Sequence, residues 1–219
     1  MIVVAIDGPS GSGKSTVARA VAKELGLAVL DTGAMYRAIT LAALEANVVL
    51  DDAAACGAIA RVSVVTVEDG VTILDGRDVS GEIRGPLVTG AVSIVSAHPE
   101  VREVLVARQR AWVEHHGGGV VEGRDIGTVV FPDASVKAFL VASDDERARR
   151  RQRDEVAAAR AVAVDEVKAA LDRRDALDRG RAVSPLRAAD DAIVIDTTHL
   201  DVESVVADIV ARARAAEAR

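Results

Sequence analysis

Short, nearly unbroken apolar runs recur along the chain at Ile2 to Ile6, Ala28 to Leu30, Val120 to Glu122, Val136 to Leu140 and Ala192 to Ile195. Strands buried on both faces read this way, without the polar alternation of half-exposed strands. Between them lie stretches of helical spacing. Val17, Ala18, Val21, Ala22 and Leu25 follow the first run and stop at Gly26. Pro99 to Trp112 has helical composition before the break at Gly117-Gly118-Gly119, and Val202, Val205, Val206, Ile209 and Val210 share a face of a last helix over roughly Asp201 to Glu217. The alternation predicts an α/β fold, a parallel sheet core flanked by helices.

The segment from about Arg61 to Val79 has a different rhythm. Val62, Val64, Val65, Val67, Val71 and Ile73 are arranged around Asp69-Gly70, and Asp75-Gly76 repeats the turn signal more weakly. Asp-Gly between alternating apolar positions signals a tight hairpin, because both turn residues must adopt a left-handed backbone. A small antiparallel sheet is expected there, as an insertion standing off the main core.

Composition narrows the picture. Half of the 219 residues are hydrophobic, yet the aromatic ones are only Tyr36, Trp112, Phe131 and Phe139. A core of small aliphatic side chains suits a buried sheet between helices, and the length suits one core carrying inserted lobes. The formal net charge of -7 supplies no general attraction to a polynucleotide, so none is expected as a partner. Cys56 is the single cysteine; it excludes an internal disulfide and a multi-cysteine metal site, and reads as a small buried apolar residue. No basic leader precedes Asp7, and no uncharged apolar run approaches the ~18 residues needed to cross a bilayer. A soluble cytoplasmic protein is the expectation.

Chemistry enters at Gly8-Pro9-Ser10-Gly11-Ser12-Gly13-Lys14-Ser15, a Gly-x-x-x-x-Gly-Lys-Ser string between the first strand and the first helix. A phosphate loop needs that setting: the strand delivers it, the helix leaves it, and backbone amides converge on polyphosphate. Lys14 adds a mobile positive charge, and the Ser15 hydroxyl can ligate Mg2+. A nucleoside triphosphate ligand follows. Asn-Lys-x-Asp, the guanine-reading string of regulatory GTPases, is absent. His98, His115, His116 and His199 show no metal-ligand spacing beyond an adjacent pair and read as surface residues.

Ligands of open α/β sheets bind beyond the carboxyl ends of the strands, so Asp31, Glu122 and the loops after them should face the phosphate loop. Arg147, Arg149, Arg150, Arg151 and Arg153 crowd together after the fourth core strand. They read either as a solvated helix face or as cations for a transferring phosphoryl group. Arg174, Asp178 and Arg181 share a helical face if the helix reaches Arg181, although Gly180 and Pro185 put its end near there; surface ion pairs explain them equally well. Glu122-Gly123-Arg124-Asp125-Ile126-Gly127-Thr128 joins a close-approach glycine, a cation and an acceptor at a strand end. Leu30-Asp31-Thr32-Gly33-Ala34-Met35-Tyr36-Arg37 has the shape of a strand end, a turn and a helix start.

Taken with Asp78 to Arg84 and Arg181 to Leu186, these strings in this order resemble the bacterial cytidylate kinase family over nearly the whole chain. The resemblance implies a phosphate-loop nucleoside monophosphate kinase fold: core at 1–31, 99–146 and 166–219, a monophosphate-binding lobe at 32–98 holding the hairpin insertion, and an Arg-rich lid at 147–165. It implies γ-phosphoryl transfer from ATP to CMP or dCMP with Mg2+ as cofactor. ATP would lie on Gly8, Pro9, Ser10, Gly11, Ser12, Gly13, Lys14, Ser15 and Thr16, with the metal on Ser15. Arg37, Arg124 and Arg181 would grip the acceptor phosphate; Ser93, Arg102 and Asp125 would read cytosine; Thr32 joins the acceptor site, and Arg174 and Asp178 would meet the sugar. Lys14, Arg124 and Arg181 are the implied catalytic cations, and Arg149, Arg150 and Arg153 the implied lid cations. Thr32, Glu122 and Leu177 depart from residues found in some relatives, serine, aspartate and arginine respectively.

A carboxylate at Asp125 accepts from the exocyclic amine of cytosine and repels the uracil oxygen, which supports that assignment. A kinase for UMP, AMP or a metabolite hydroxyl, and a nucleotide-holding regulatory protein, are the competing readings. A monomer is expected.

Overall fold

The computed structural model describes residues 1–157, 163–181 and 183–218. Residues 158–162 of the expected lid, and Ala182, lie outside the described residues. Along the chain come β1 (Ile2–Asp7), α1 (Lys14–Leu25), β2 (Val29–Asp31), α2 (Thr32–Glu45), α3 (Ala53–Val62), β3 (Val65–Glu68), β4 (Val71–Leu74) and β5 (Arg77–Asp78). Next are α4 (Pro86–Val95), α5 (Pro99–His115), β6 (Gly118–Gly123), β7 (Val136–Val141), α6 (Asp144–Ala157), α7 (Val164–Arg179), β8 (Ile193–Asp196) and α8 (Val202–Glu217).

The main sheet runs β2-β6-β1-β7-β8 with every neighbouring pair parallel. Successive side chains of β1 point to opposite faces. Val3 and Ala5 therefore pack with Leu30, Ile39 and Leu105 on one side, while Val4 and Ile6 pack with Val21, Leu140 and Ile209 on the other. Burial on both faces is why these strands read as continuous apolar runs. The register sets Asp31 beside Glu122 and Asp7 beside Gly123, so β1, β2 and β6 end on one line. The loops after them share one crevice.

Local signals explain the helix boundaries. The side chains of Asp31, Asp52 and Asp201 cap α2, α3 and α8 by accepting from backbone amides three residues on. Gly117, at φ 67, follows the C-cap of α5. Gly118 and Gly119 belong to β6 rather than to the break. Helix α7 ends at Arg179, so Arg181 lies beyond it, although it still pairs with Asp178.

The inserted sheet, β3-β4-β5, is antiparallel, with left-handed backbone at both residues of Asp69-Gly70 and of Asp75-Gly76. It does not stand off the core. Val67, Leu74 and Val79 are buried in the same cluster as Ile39 and Ile83, because a small ribbon is stable only when one face is covered, here by α2. Val62 is not in the hairpin: it closes α3 and is exposed. Cys56 is buried as expected. His98 departs from the surface reading; it is half-buried, and its Nε2 donates to the Leu50 carbonyl at 2.7 Å.

Gly8 leaves β1 with φ 148, and a Cβ built there would stand 2.1 Å from the Leu140 carbonyl oxygen of the neighbouring strand. Gly8→Ala is expected to lower the free energy of unfolding by about 3 kcal/mol, read from urea denaturation; a loss below about 0.5 kcal/mol would contradict this packing constraint.

Candidate active site

The phosphate loop is held from its outer side. The Lys14 ammonium donates to the Pro9 carbonyl at 2.8 Å, folding the side chain back over the loop. Arg124 donates to the Gly8 carbonyl, Arg147 to that of Ser10 at 3.1 Å, and the Thr197 hydroxyl to that of Ser12 at 3.0 Å. The loop carbonyls are thereby engaged by protein donors. The Ser12 hydroxyl is buried without a partner among the described residues, and Thr16 is exposed at the start of α1.

Three ionisable groups crowd beneath the loop. Burial and the neighbouring Arg124 pull Lys14 down to about 7. Burial, with Asp31 nearby, pushes Glu122 up to about 7. Asp7 is pushed up to about 6 by burial, even though its carboxylate accepts from the amides of Ile126 and Gly127 at 2.8 Å each. Those two bonds fix the turn that presents Arg124 and Asp125. The Glu122 carboxyl lies near the Ser15 hydroxyl, and its backbone carbonyl accepts from the Thr32 hydroxyl at 2.7 Å.

A second constellation is built around Asp178. Its carboxylate accepts from Arg124 Nε at 2.8 Å, from Arg181 Nη2 at 2.6 Å and from Ser93 Oγ at 3.4 Å. Arg174 stands beside it with its Nε buried and without a partner among the described residues, its guanidinium held well below the usual range by burial and then by Arg124 and Arg37. Arg37 donates to the Ile83 carbonyl at 2.9 Å and to the Thr89 hydroxyl at 2.8 Å. Burial and the repulsion of Arg151 and Arg84 bring Arg37 down to about 10. Residues from α2, α7 and the β6 loop thus converge on one cationic cleft.

Deeper in the cleft, Arg102 of α5 pairs with Asp125, both buried. Burial raises the Asp125 carboxyl above its ordinary range, with Arg102 and the Ser184 hydroxyl opposing that rise. Arg102 also lies over the Tyr36 ring, 5.7 Å from its centroid. Ser93 meets Asp178 rather than this pair.

The cations of α6 divide. Arg149 and Arg153 are exposed beside Glu146. Arg150 turns to Thr197, donating to its carbonyl at 2.6 Å and its hydroxyl at 3.0 Å. Arg147 is buried against Asp175 and Asp144. Arg151 is the α6 cation whose field reaches Arg37 and Arg174. Sequence reasoning missed Asp7, Thr197, Arg147 as a strut, and Asp175. Only Asp7 carried a signal, an acid closing an apolar run one residue before the loop.

A phosphate loop at the carboxyl edge of a five-stranded parallel sheet, facing a cleft of arginines, defines a phosphate-loop kinase of the nucleoside monophosphate kinase fold. The family model described as cytidylate kinase matches residues 4–215, and the chain belongs to that family. It is 54% identical over 209 residues to the cytidylate kinase of Mycobacterium leprae strain Br4923, covering 95% of this chain and 93% of that protein. It is 51% identical over 206 residues to the cytidylate kinase of Caldanaerobacter subterraneus subsp. tengcongensis, covering 94% and 91%. Among solved structures, a gluconokinase from Sinorhizobium meliloti 1021 aligns with TM-score 0.51 and 13% identity over 99% of this chain and 94% of that one, a likeness of fold alone.

Burial by itself would raise the Asp178 carboxyl, but Arg124, Arg181 and Arg174 outweigh it and hold the group below the usual aspartate range. A carboxyl depressed on folding adds stability above its unfolded value and loses it as pH falls through the lower, folded one. Asp178→Asn is therefore expected to cost about 3 kcal/mol near pH 7, and urea titrations at successive pH should show the gap closing as pH drops below the unfolded carboxylate range.

Proposed function

We propose that the protein transfers the γ-phosphoryl group of ATP to CMP or dCMP, giving ADP and CDP or dCDP. The observation carrying this reading is the buried Arg102–Asp125 pair at the back of an arginine cleft that faces the phosphate loop. A kinase for a metabolite hydroxyl has no use for such a pair, whereas a cytosine amine needs an acceptor that uracil would repel.

In the proposed reaction an oxygen of the acceptor phosphate attacks the γ-phosphorus in line. The bond to the β,γ-bridging oxygen breaks, and ADP leaves with that oxygen. Arg37, Arg124 and Arg181 hold the acceptor phosphate and spread the charge of the transition state. Lys14, drawn off Pro9 by the triphosphate, follows the migrating group; the polyanion raises its affinity for the proton, so it acts as a cation. Arg174 and Asp178 orient the sugar. The region 147–165 serves as a lid that excludes water, α6 bringing Arg151 over the cleft and the exposed Arg149 and Arg153 following it.

The hard oxygen of Ser15, flanked by the Glu122 carboxylate and close to Asp31, fits Mg2+, which takes few protein ligands and several from water and phosphate. When bound, the metal would neutralise charge on the β- and γ-phosphates. No helix among the described residues is long and apolar enough to cross a membrane. A cytoplasmic monomer that uses small-molecule substrates and no polynucleotide completes the reading.

ADP release measured with CMP, dCMP, UMP and AMP in turn tests the assignment. Wild-type protein is expected to prefer CMP and dCMP, and Asp125→Ala to lose about a hundredfold in kcat/KM on CMP along with the preference; equal wild-type rates on all four would overturn it. Lys14→Ala is expected to lower kcat by about a hundredfold or more in the same assay, and near-normal turnover would remove the phosphate loop from the chemistry.

A further inference from the structure

Gln109 is fully buried in α5, on the apolar face that also carries Leu105 and Val113. A polar amide at such a position is unfavourable unless it is hydrogen-bonded. Neither its Oε1 nor its Nε2 has a well-formed hydrogen bond among the described residues. The carboxamide lies beside the phenol of Tyr36, whose hydroxyl is likewise buried and unpaired. Burial pushes that phenol up to about 12, so it stays neutral at ordinary pH.

The Tyr36 ring carries the Arg102 guanidinium, 5.7 Å from its centroid, and Arg102 donates to Asp125 Oδ2. Arg102 and Gln109 are two helical turns apart on one face of α5, so both reach the same ring of α2. Gln109, Tyr36, Arg102 and Asp125 therefore form a chain of contacts leading from the apolar core to the cleft. Arg37, the neighbour of Tyr36 in sequence, turns instead to Ile83 and Thr89.

We propose that Gln109 is a positioning residue for base selection: its carboxamide is the polar neighbour of the Tyr36 hydroxyl, fixing the ring under Arg102 and, through Arg102, the orientation of the Asp125 carboxylate. The inference rests on the reading of the cleft as a cytidylate site. Cation–π attraction depends on where the guanidinium sits over the ring, and a ring free to shift lets the Arg102–Asp125 pair tilt. A tilted carboxylate accepts less well from the cytosine amine and repels the uracil oxygen less, so discrimination suffers. Gln109 touches neither substrate.

The test measures kcat/KM for CMP and for UMP, and KM for ATP, in wild type, Gln109→Leu, Tyr36→Phe and the double variant. Leucine nearly preserves the volume of glutamine, and Tyr36→Phe breaks the link from the other end should the first variant fold poorly. Each single variant is expected to lower the CMP-to-UMP ratio about tenfold with KM for ATP unchanged. The double variant should lose no more than either single, since both remove one link. An unchanged ratio, multiplicative losses, or a parallel rise in KM for ATP would each overturn the inference. A wild type without preference for CMP overturns the functional reading and this one with it; a preference kept by both single variants overturns this one alone.

Discussion

Bringing Arg37, Arg124, Arg174 and Arg181 into one cleft sets like charges against each other in a site partly removed from water, and Asp178 is what ties Arg124 and Arg181 together beside Arg174. Its carboxylate takes hydrogen bonds from Arg124 and Arg181 at once, and the guanidinium of Arg174 stands within its field. The cost remains visible in the arginines themselves. Burial and mutual repulsion bring Arg37 down to about 10 and weaken the hold of Arg174 on its proton. Such a cluster has more positive charge than its own carboxylates offset, so phosphate is the partner it is built to receive.

The rest of the architecture serves that cluster. Two parallel strands ending on one line bring the phosphate loop and the Arg124 turn to the same edge of the sheet, and Asp7, at the end of β1, fastens that turn through two backbone amides. On the far side of the loop, Arg147 and the Arg150–Thr197 pair tie its carbonyls to α6 and to the strand end at β8. The arginine-rich helix α6 is thus anchored to the phosphate loop. A movement of α6 would be felt at Ser10 and Ser12.

Much of this was readable from the chain. Five apolar runs identified five strands because parallel strands buried on both faces need no polar alternation. Gly8 to Ser15 announced the phosphate loop because few sequences satisfy a strand end, three left-handed glycines and a helix start together. The spacing of Arg174 and Asp178 placed them on one helical face. The hairpin turns were equally plain, yet not the direction in which their apolar face would pack: Val67 and Leu74 point to a buried side without naming α2 as the surface that covers it.

What the sequence determined by itself was local: which residues form strands and helices, where the loop binds phosphate, and that arginines and carboxylates of a nucleotide kinase are present. Helical and extended periods, turn chemistry and short motifs act over a few neighbouring positions, and such patterns survive in a one-dimensional string. Only the tertiary structure decided that Ser93 meets Asp178, that Arg150 faces Thr197 while the charge of Arg151 reaches Arg37, and that Gln109 lies near Tyr36. Those partners stand on different elements, tens of residues or more apart, and whether a charged side chain is solvated, paired or buried is fixed by the packing of those elements on one another.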